Sequence, residues 1–238
     1  MTIRGTLHLI PVGLGPAALS EWLPVEVQAQ AARLDTFIAE NAKSARAFLK
    51  QMPLTRPLQD ITIHELGPKT DESILRQWLE PLKKGAEIGL VSEAGCPAVA
   101  DPGAKAVAIA HQWGMSVKPW VGPSSILLGL MASGLDGQRF AFHGYAPVDP
   151  GQRVKQLKSW EDSSARHQQT QVLIETPYRN QAMFASLTEH LKGNTLLCLA
   201  RSLTTSDEWV RTLPVSQWRT QPKPDLDKRP TLFLFLAK

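Results

Sequence analysis

The sequence has few cysteines and no long apolar segment. Its 238 residues include two cysteines, Cys96 and Cys198, with no CxxC pair and no nearby histidine at ligand spacing. Neither a disulfide framework nor a zinc site is indicated, and we expect no metal. No run of about 18 apolar residues occurs, so no membrane span is predicted. Because the amino terminus lacks the apolar core and cleavage site of a signal peptide, we expect a cytoplasmic protein with reduced thiols.

The charges are scattered rather than concentrated in runs, but their balance changes along the chain. Residues 1–137 contain 12 Lys+Arg and 13 Asp+Glu, a balance of −1, whereas residues 138–238 contain 14 and 9, a balance of +5. This excess permits an anionic macromolecule such as RNA as a partner of the second half. An ordinary solvated surface explains the same charges, so both interpretations stay open.

Short β-branched runs alternate with longer helical patterns, which is typical of an α/β protein. Glycine and proline interrupt the chain at residues 121–123, and the pattern then restarts. We therefore predict two α/β domains, residues 1–121 and 122–238, each with a mixed sheet flanked by helices. Predicted strands cover residues 6–12, 35–39, 60–64, 86–91, 115–120, 140–143, 171–175, 195–200 and 231–236, with a hairpin-like stretch at 208–212. Predicted helices cover residues 24–34, 42–52, 103–113, 152–165 and 180–191, with further helices starting after Asp71 and near Ser124, and residues 221–230 are predicted to form an exposed loop.

Three glycine-containing loops follow strands of the first domain. The first strand runs into Gly13-Leu14-Gly15-Pro16, and the buried strand 86–91 runs into a loop over residues 92–103, in which Asp101-Pro102 is a good helix start. Residues 122–125 form the third loop, which opens the next helix. In open α/β sheets ligands bind at the carboxyl ends of the strands, so we expect these loops to face one crevice. Plain turns and a simple helix cap are the alternatives.

The residues of these loops resemble those of the tetrapyrrole methylase superfamily, nearest the branch that methylates a ribose of small-subunit ribosomal RNA. That branch has an S-D-A-G-x-P-x-x-x-D-P-G loop, which is similar to residues 92–103, and a G-P-S-A turn, which is similar to residues 122–125. Its A-S-G-L, F-x-G-F, E-S-P-H-R and A-R-E-L-T segments are similar to residues 132–135, 142–145, 175–179 and 200–204. The ordered similarity extends from residue 5 to about residue 212.

The resemblance implies a homodimer of two-domain protomers with S-adenosylmethionine in a cleft between the domains. It implies that the first domain holds this cofactor through Leu14, Gly15, Glu93, Ala94, Gly95, Cys96, Ser124, Ser125 and Ile126, and that Thr176, Ala200 and Leu203 of the second domain contribute. Arg179 and Arg201 are candidate contacts to RNA phosphates, because a guanidinium offers paired donors, although salt bridges would also explain them.

Three side chains near strand ends of the first domain are candidate general bases: Glu40, His64 and Glu65. A base is needed if the methyl acceptor is a hydroxyl, although each could equally be a surface or capping group. The ribosomal branch shows A-E-D-T-R where this chain has Ala39-Glu40-Asn41-Ala42-Lys43, so an acid and a guanidinium are replaced. Methylation of a small tetrapyrrole-like molecule, and a cofactor-binding module without catalysis, are therefore retained as alternatives to methylation of ribosomal RNA.

Overall fold

The computed structural model describes residues 4–238, and its internal contacts divide the chain into two compact units. The first unit ends at Ser124 and the second spans Ser125–Lys238. This division falls three residues after the boundary predicted from the glycine and proline at residues 121–123. Each unit contains one five-stranded sheet with helices packed against it.

The first unit alternates strands and helices throughout. Its strands are β1 (Thr6–Leu9), β2 (Thr36–Ala39), β3 (Thr62–Glu65), β4 (Glu87–Val91) and β5 (Ser116–Pro119). Its helices are α1 (Leu19–Trp22), α2 (Val25–Arg33), α3 (Ala42–Leu49), α4 (Glu72–Leu79) and α5 (Ala104–Gln112), with 3₁₀ turns at Leu58–Asp60 and Glu80–Lys84.

All strands of the first sheet are parallel, in the order β3-β2-β4-β1-β5. Both faces of the sheet are covered. Phe37 packs in the cluster that includes residues of α2 and α3, whereas its neighbour Ile38 packs in the cluster that includes residues of α4 and α5. A parallel sheet covered on both faces needs apolar side chains in both directions, and this explains the continuous buried run in β4. The carboxyl ends of all five strands therefore share one edge.

The second unit contains a mixed sheet in the order β6-β7-β10-β8-β9, in which β6 and β7 are parallel and the other neighbours are antiparallel. Its strands are β6 (Phe140–Tyr145), β7 (Thr170–Ile174), β8 (Leu196–Arg201), β9 (Trp209–Pro214) and β10 (Thr231–Leu236). Its helices are α6 (Ser125–Ser133), α7 (Pro150–His167), α8 (Asn180–His190) and α9 (Val215–Trp218), with a 3₁₀ turn at Pro177–Arg179.

Alternate side chains of β10 separate the two faces of this second sheet. Phe233 and Phe235 pack in the core that includes residues of α7, α8 and α9. Helix α6 packs against β8, β9 and β10, where its Gly129 lies beside Leu232. Because β7 and β8 are both antiparallel to β10, they run in the same direction, and their carboxyl ends meet at one edge.

Several predicted details are wrong. Asp101-Pro102 does not start a helix, because α5 begins at Ala104 after Gly103, whose φ of 126° interrupts the helical backbone. The first strand ends at Leu9 rather than at residue 12, and the short helices α1 and α9 are not among the predictions.

The segment 221–230 is not simply an exposed loop, because Leu226 is fully buried and Asn180 Nδ2 donates to the carbonyl of Arg229 at 2.7 Å. The cap predicted at Asp71 is confirmed, since its Oδ1 accepts from the Ile74 amide at 2.9 Å.

Candidate active site

The loops that follow β1, β4 and β5 meet in the first unit. Val12 and Gly95 exchange two backbone hydrogen bonds, each of 2.9 Å. Cys96 Sγ donates to the carbonyl of Pro123 at 3.4 Å, which joins the second loop to the third. A Cβ at Gly95 would lie 3.4 Å from Leu14 Cδ2 and 3.8 Å from the Pro123 carbonyl oxygen. The three loops are therefore neighbours at the edge of one sheet.

Gly95 has a φ of 76°, a conformation that favours glycine over residues with a side chain. Gly95 is buried, and its lack of a Cβ lets this loop pack closely against Leu14 and Pro123. Leu14, Gly15 and Ser124 are half-buried, whereas Glu93 and Ala94 are exposed. This arrangement fits a cofactor held largely by backbone atoms, and Glu93 is the acidic group available beside it.

The predicted cofactor residues of the second unit lie at one edge of its sheet. Thr176 follows β7, Ala200 lies within β8, and Leu203 follows β8. Ala200 and Leu203 are buried, and Thr176 is half-buried. Ser125 and Ile126 form the first turn of α6 and are half-buried. The cofactor-binding roles of these residues stay a prediction.

Unusual backbone conformations concentrate in two of the predicted cofactor loops. Six residues other than glycine have a positive φ in the described part of the chain, and four of them lie in these loops. Ala98 and Ala100 belong to the loop after β4, and Ser202 and Thr204 to the loop after β8. Strained backbone of this kind is often found at ligand sites. The two loops are thus distinguished by strain as well as by sequence.

A cavity of about 490 Å³ opens in the first unit beside the carboxyl ends of β2, β3 and β4. Glu40 and Asp101 lie in its wall, together with Thr70 and Lys105 and the segment 66–68. A volume of this size is within the range of small-molecule sites. Within the loop of residues 92–103, Gly95 and Cys96 thus contact the other two loops, whereas residues 101–103 line this cavity.

Asp101 is the most perturbed acid in the site. Burial, followed by the charge of the neighbouring Glu40, raises its pKa from 3.8 to about 6. The Ser92 hydroxyl close to this carboxyl acts in the opposite direction, and the charge of Glu93 adds to the rise. Two carboxyl groups placed together in this way favour sharing one proton. The Asp101-Pro102 pattern predicted only a helix start, and the position of Asp101 in the loop after a buried strand is the signal that could have identified it as a titrating group.

The structure separates the three predicted bases. Glu40 lies in the cavity beside Asp101, whereas Glu65 Oε2 accepts from the Ala42 amide at 2.8 Å at the start of α3. His64 stacks on Trp78 with ring centroids 4.7 Å apart, and burial lowers its pKa. Glu65 is therefore placed as a helix cap and His64 as a packing residue, and Glu40 is the one of the three predicted bases that lines the cavity.

The two arginines predicted to contact phosphate are held by the protein itself. Arg179 Nη2 lies 2.5 Å from Glu175 Oε1, and the Glu175 side chain is 0% exposed. Arg201 Nη1 donates to the Asp225 carbonyl at 2.7 Å, and its guanidinium lies 5.4 Å from the centre of the Trp209 ring. The salt-bridge interpretation thus describes Arg179, and Arg201 is fixed by a backbone contact and an aromatic ring.

Residues 4–238 contain neither a metal-binding cluster nor a membrane-spanning helix. No group of three or more His, Cys, Asp and Glu side chains in this range is arranged to hold a metal ion. Within the same range, no helix combines the length and apolar character needed to span a membrane.

Comparison with known proteins identifies the family. The family model described as "Tetrapyrrole (Corrin/Porphyrin) Methylases" matches residues 7–218. A Mesorhizobium japonicum protein named "Ribosomal RNA small subunit methyltransferase I" is 31% identical over 213 residues, which cover 88% of this chain and 67% of the relative. A Xylella fastidiosa protein of the same name is 27% identical over 238 residues, covering 100% of this chain and 83% of the relative.

Solved structures show the same fold at low sequence identity. The methyltransferase CobJ matches with a TM-score of 0.62 at 17% identity, covering 98% of this chain and 94% of that one. The uroporphyrin-III-C-methyltransferase of Thermus thermophilus matches with a TM-score of 0.56 at 17% identity, covering 98% and 93%. Since the family model covers most of the sequence, the chain belongs to the tetrapyrrole methylase family and is an S-adenosylmethionine-dependent methyltransferase.

Proposed function

We propose that this chain methylates a ribose hydroxyl of small-subunit ribosomal RNA, with Leu14, Glu93, Gly95 and Cys96 among the residues that hold the donor. The observation that carries the proposal is the similarity to proteins named for small-subunit ribosomal RNA, which extends over 88% and 100% of this chain. The tetrapyrrole enzymes share its fold at 17% identity. The sequence similarity thus favours the RNA substrate over a tetrapyrrole.

The residues of the first unit fit the donor. S-adenosylmethionine, when bound, supplies a methyl group on a positively charged sulfur, which is a good leaving group. The contacts among Val12, Gly95, Cys96 and Pro123 hold the three loops together, which would fix its position. Positioning of this kind accounts for about 7 to 11 kcal/mol of catalysis in favourable cases.

The cavity beside Glu40 and Asp101 favours a polar acceptor. A tetrapyrrole would call for a large apolar trough, whereas this wall sets two carboxyl groups and the ammonium of Lys105 among apolar residues such as Leu66, Pro68 and Leu75. A ribose hydroxyl must lose a proton when it is methylated, and carboxylates can receive it. This chemistry supports the RNA assignment independently of sequence similarity.

The proposal can be tested with small ribosomal subunits from a strain that lacks the gene. Purified protein and tritiated donor should transfer methyl groups to the RNA of these subunits, and ribose-methylation mapping should find one site lost in the deletion strain. Transfer to a tetrapyrrole, or an unchanged methylation map in the deletion strain, would contradict the proposal. Subunits from the wild-type strain provide the control, because their site is already methylated.

A homodimer is part of the same proposal. Leu127 and Met131 lie four residues apart on α6 and are 53% and 79% exposed. Exposed apolar side chains on one helical stripe are typical of subunit interfaces. Light scattering should therefore give twice the 26.2 kDa mass of the chain. Substitution Met131→Glu should shift the protein toward the monomer, and a monomeric wild-type protein would refute this part.

A further inference from the structure

We propose that the Glu40–Asp101 carboxyl pair receives the proton of the ribose hydroxyl, and that the cavity beside the pair holds the acceptor nucleotide. The inference rests on the proposed function, because it assumes a hydroxyl acceptor. It goes beyond that function in naming Asp101 as a catalytic residue and the 490 Å³ cavity as the acceptor site.

Two different segments bring the carboxyl groups together. Glu40 directly follows β2, and Asp101 lies near the end of the loop that follows β4. These strands are neighbours in the sheet, with Ala39 paired to Val91. The pair therefore occupies the edge of the sheet at which the three cofactor loops also meet. An acceptor in the cavity would lie on the same edge as the proposed donor site.

The buried hydroxyl of Ser92 gives a second indication of a ligand beside Asp101. It is 5% exposed, and its Oγ makes no hydrogen bond of normal geometry within the described structure. The hydroxyl nevertheless lies close enough to the Asp101 carboxyl to lower the pKa of that group. Buried hydroxyls are rarely left without a partner. We infer that Ser92 is placed to complete its hydrogen bonding when a polar group enters beside Asp101.

The groups around Asp101 favour its carboxylate as a proton acceptor at neutral pH. Burial and the charges of Glu40 and Glu93 raise its pKa to about 6, so near pH 7.5 the group is mostly ionised and is more basic than an ordinary aspartate. Lys105 lies in the wall of the same cavity, where its ammonium can contact an RNA phosphate. The cavity thus offers one cation for the nucleic-acid backbone and one proton acceptor for the hydroxyl.

The proposed step is balanced. The ribose oxygen forms a bond to the methyl carbon as the bond from that carbon to the donor sulfur breaks, and the electron pair of the broken bond stays on sulfur. The hydroxyl proton passes to an Asp101 carboxylate oxygen and is shared with Glu40 before it leaves to solvent. Glu40 acts on Asp101 by raising its basicity, so it is a positioning residue in this scheme.

Two variants and a matched control test the inference. The variants are Asp101→Asn and Glu40→Gln, and the control is Asp60→Asn, which changes an exposed carboxylate of the first unit outside the cavity. Methyl transfer to the RNA of unmethylated small subunits is measured against pH at saturating donor. Donor affinity is measured by calorimetry, and the Asp101 carboxyl is titrated by ¹³C NMR in aspartate-labelled protein.

We expect Asp101→Asn to lower kcat by about 10²-fold to 10⁴-fold while the donor Kd stays within about twofold, because a general base is lost but the donor loops are unchanged. In the wild type, kcat and the Asp101 resonance should both titrate near pH 6. Glu40→Gln removes a neighbouring negative charge, so both midpoints should move to lower pH. The control should behave as the wild type.

The possible failures are distinguishable. If the wild type binds donor but transfers no methyl group to RNA, the proposed function fails, and this inference falls with it. If the wild type is active and Asp101→Asn keeps its kcat, the inference alone is overturned. Should Asp101→Asn fail to fold, the Glu40→Gln midpoints decide, since unchanged midpoints for both rate and resonance would also overturn it.

Discussion

Replacing Asp101 with asparagine should make the protein more stable at neutral pH while it impairs catalysis. The folded state raises the pKa of this carboxyl from 3.8 to about 6, so ionisation of the group opposes folding. Below pH 3.8 the carboxyl is protonated in both states and contributes nothing. Between pH 3.8 and 6 the folded state holds more protons than the unfolded state, so stability falls as pH rises. Above pH 6 the reduction in folding stability is complete and no longer changes with pH.

The magnitude follows from the difference between the two pKa values. A difference of about two corresponds to about 3 kcal/mol, since one pKa unit is about 1.4 kcal/mol. Asp101 is only half-buried, so solvent screening reduces this figure, and we expect about 1.5 kcal/mol. For a chain of this length such a gain raises the melting temperature by about 3 to 6 °C.

Urea unfolding at pH 4 and pH 8 provides the assay, with Asp60→Asn as the control for loss of a carboxylate. Asp101→Asn should unfold at higher urea than the wild type at pH 8 and nearly together with it at pH 4. Lower stability at pH 8, or an equal gain at both pH values, would refute the reasoning. The first result would mean that the carboxylate stabilises the fold, and the second that the gain has no connection with ionisation.

Three further predictions concern the loops and the buried ion pair. Gly95→Ala should weaken donor binding about tenfold in calorimetry, because the added Cβ would lie 3.4 Å from Leu14 Cδ2 and displace that donor-binding residue. Because the φ at Gly95 is 76°, the substitution should also lower the free energy of unfolding by about 1 to 2 kcal/mol. Arg179→Ala should lower the free energy of unfolding by about 3 kcal/mol in urea, because it leaves the buried Glu175 carboxylate unpaired. Cys96 should react with thiol reagents about tenfold more slowly than free cysteine at pH 7.5, because burial raises its pKa.

Each of these predictions has a matched control. Gly137→Ala adds a methyl group in open space, so equal loss of donor affinity in both glycine variants would contradict the role of Gly95. Adding Glu175→Gln to Arg179→Ala should recover part of the stability. If Arg179→Ala instead kept its stability and bound RNA more weakly, the phosphate contact would be the correct interpretation. For Cys96, the labelling rate of the folded protein is compared with the rate in denaturant. Equal rates would show that folding does not protect the thiol.

The periodicity of the sequence predicted most of the fold because each element has a local cause. The alternation of β-branched runs and helical patterns located nine of the ten strands within three residues at either end, and the polar cap at Asp71 was correct. The short helices α1 and α9 have four residues each, too few for an apolar period to be recognised. Helix α5 starts later than Asp101-Pro102 because the backbone at Gly103 is not helical, which a proline pattern does not reveal.

The site was less accessible from sequence because its chemistry depends on which strands are neighbours. Glu40 and Asp101 are 61 positions apart in the chain, and the order β3-β2-β4 is what brings them together. The same order explains why His64 and Glu65, which like Glu40 lie at strand ends, have different surroundings. Glu65 lies beside the start of α3 and His64 beside Trp78, so neighbouring elements engage both side chains. The sequence places all three side chains at strand ends, and so it does not distinguish the one that lines the cavity from the two that are engaged by neighbouring elements.

The replacement of the family's A-E-D-T-R segment is the strongest argument for a module without catalysis, and the structure weakens it. Asn41 is the N-cap of α3, where its Oδ1 accepts from the amides of Lys43 at 2.9 Å and Ser44 at 3.1 Å. Asparagine and aspartate are about equally good in this position, so an acid here is exchangeable without loss of the helix. The carboxylate that faces the cavity belongs to Glu40, which this chain retains. The departure at residue 41 therefore concerns a helix cap, and the proton-accepting pair is intact.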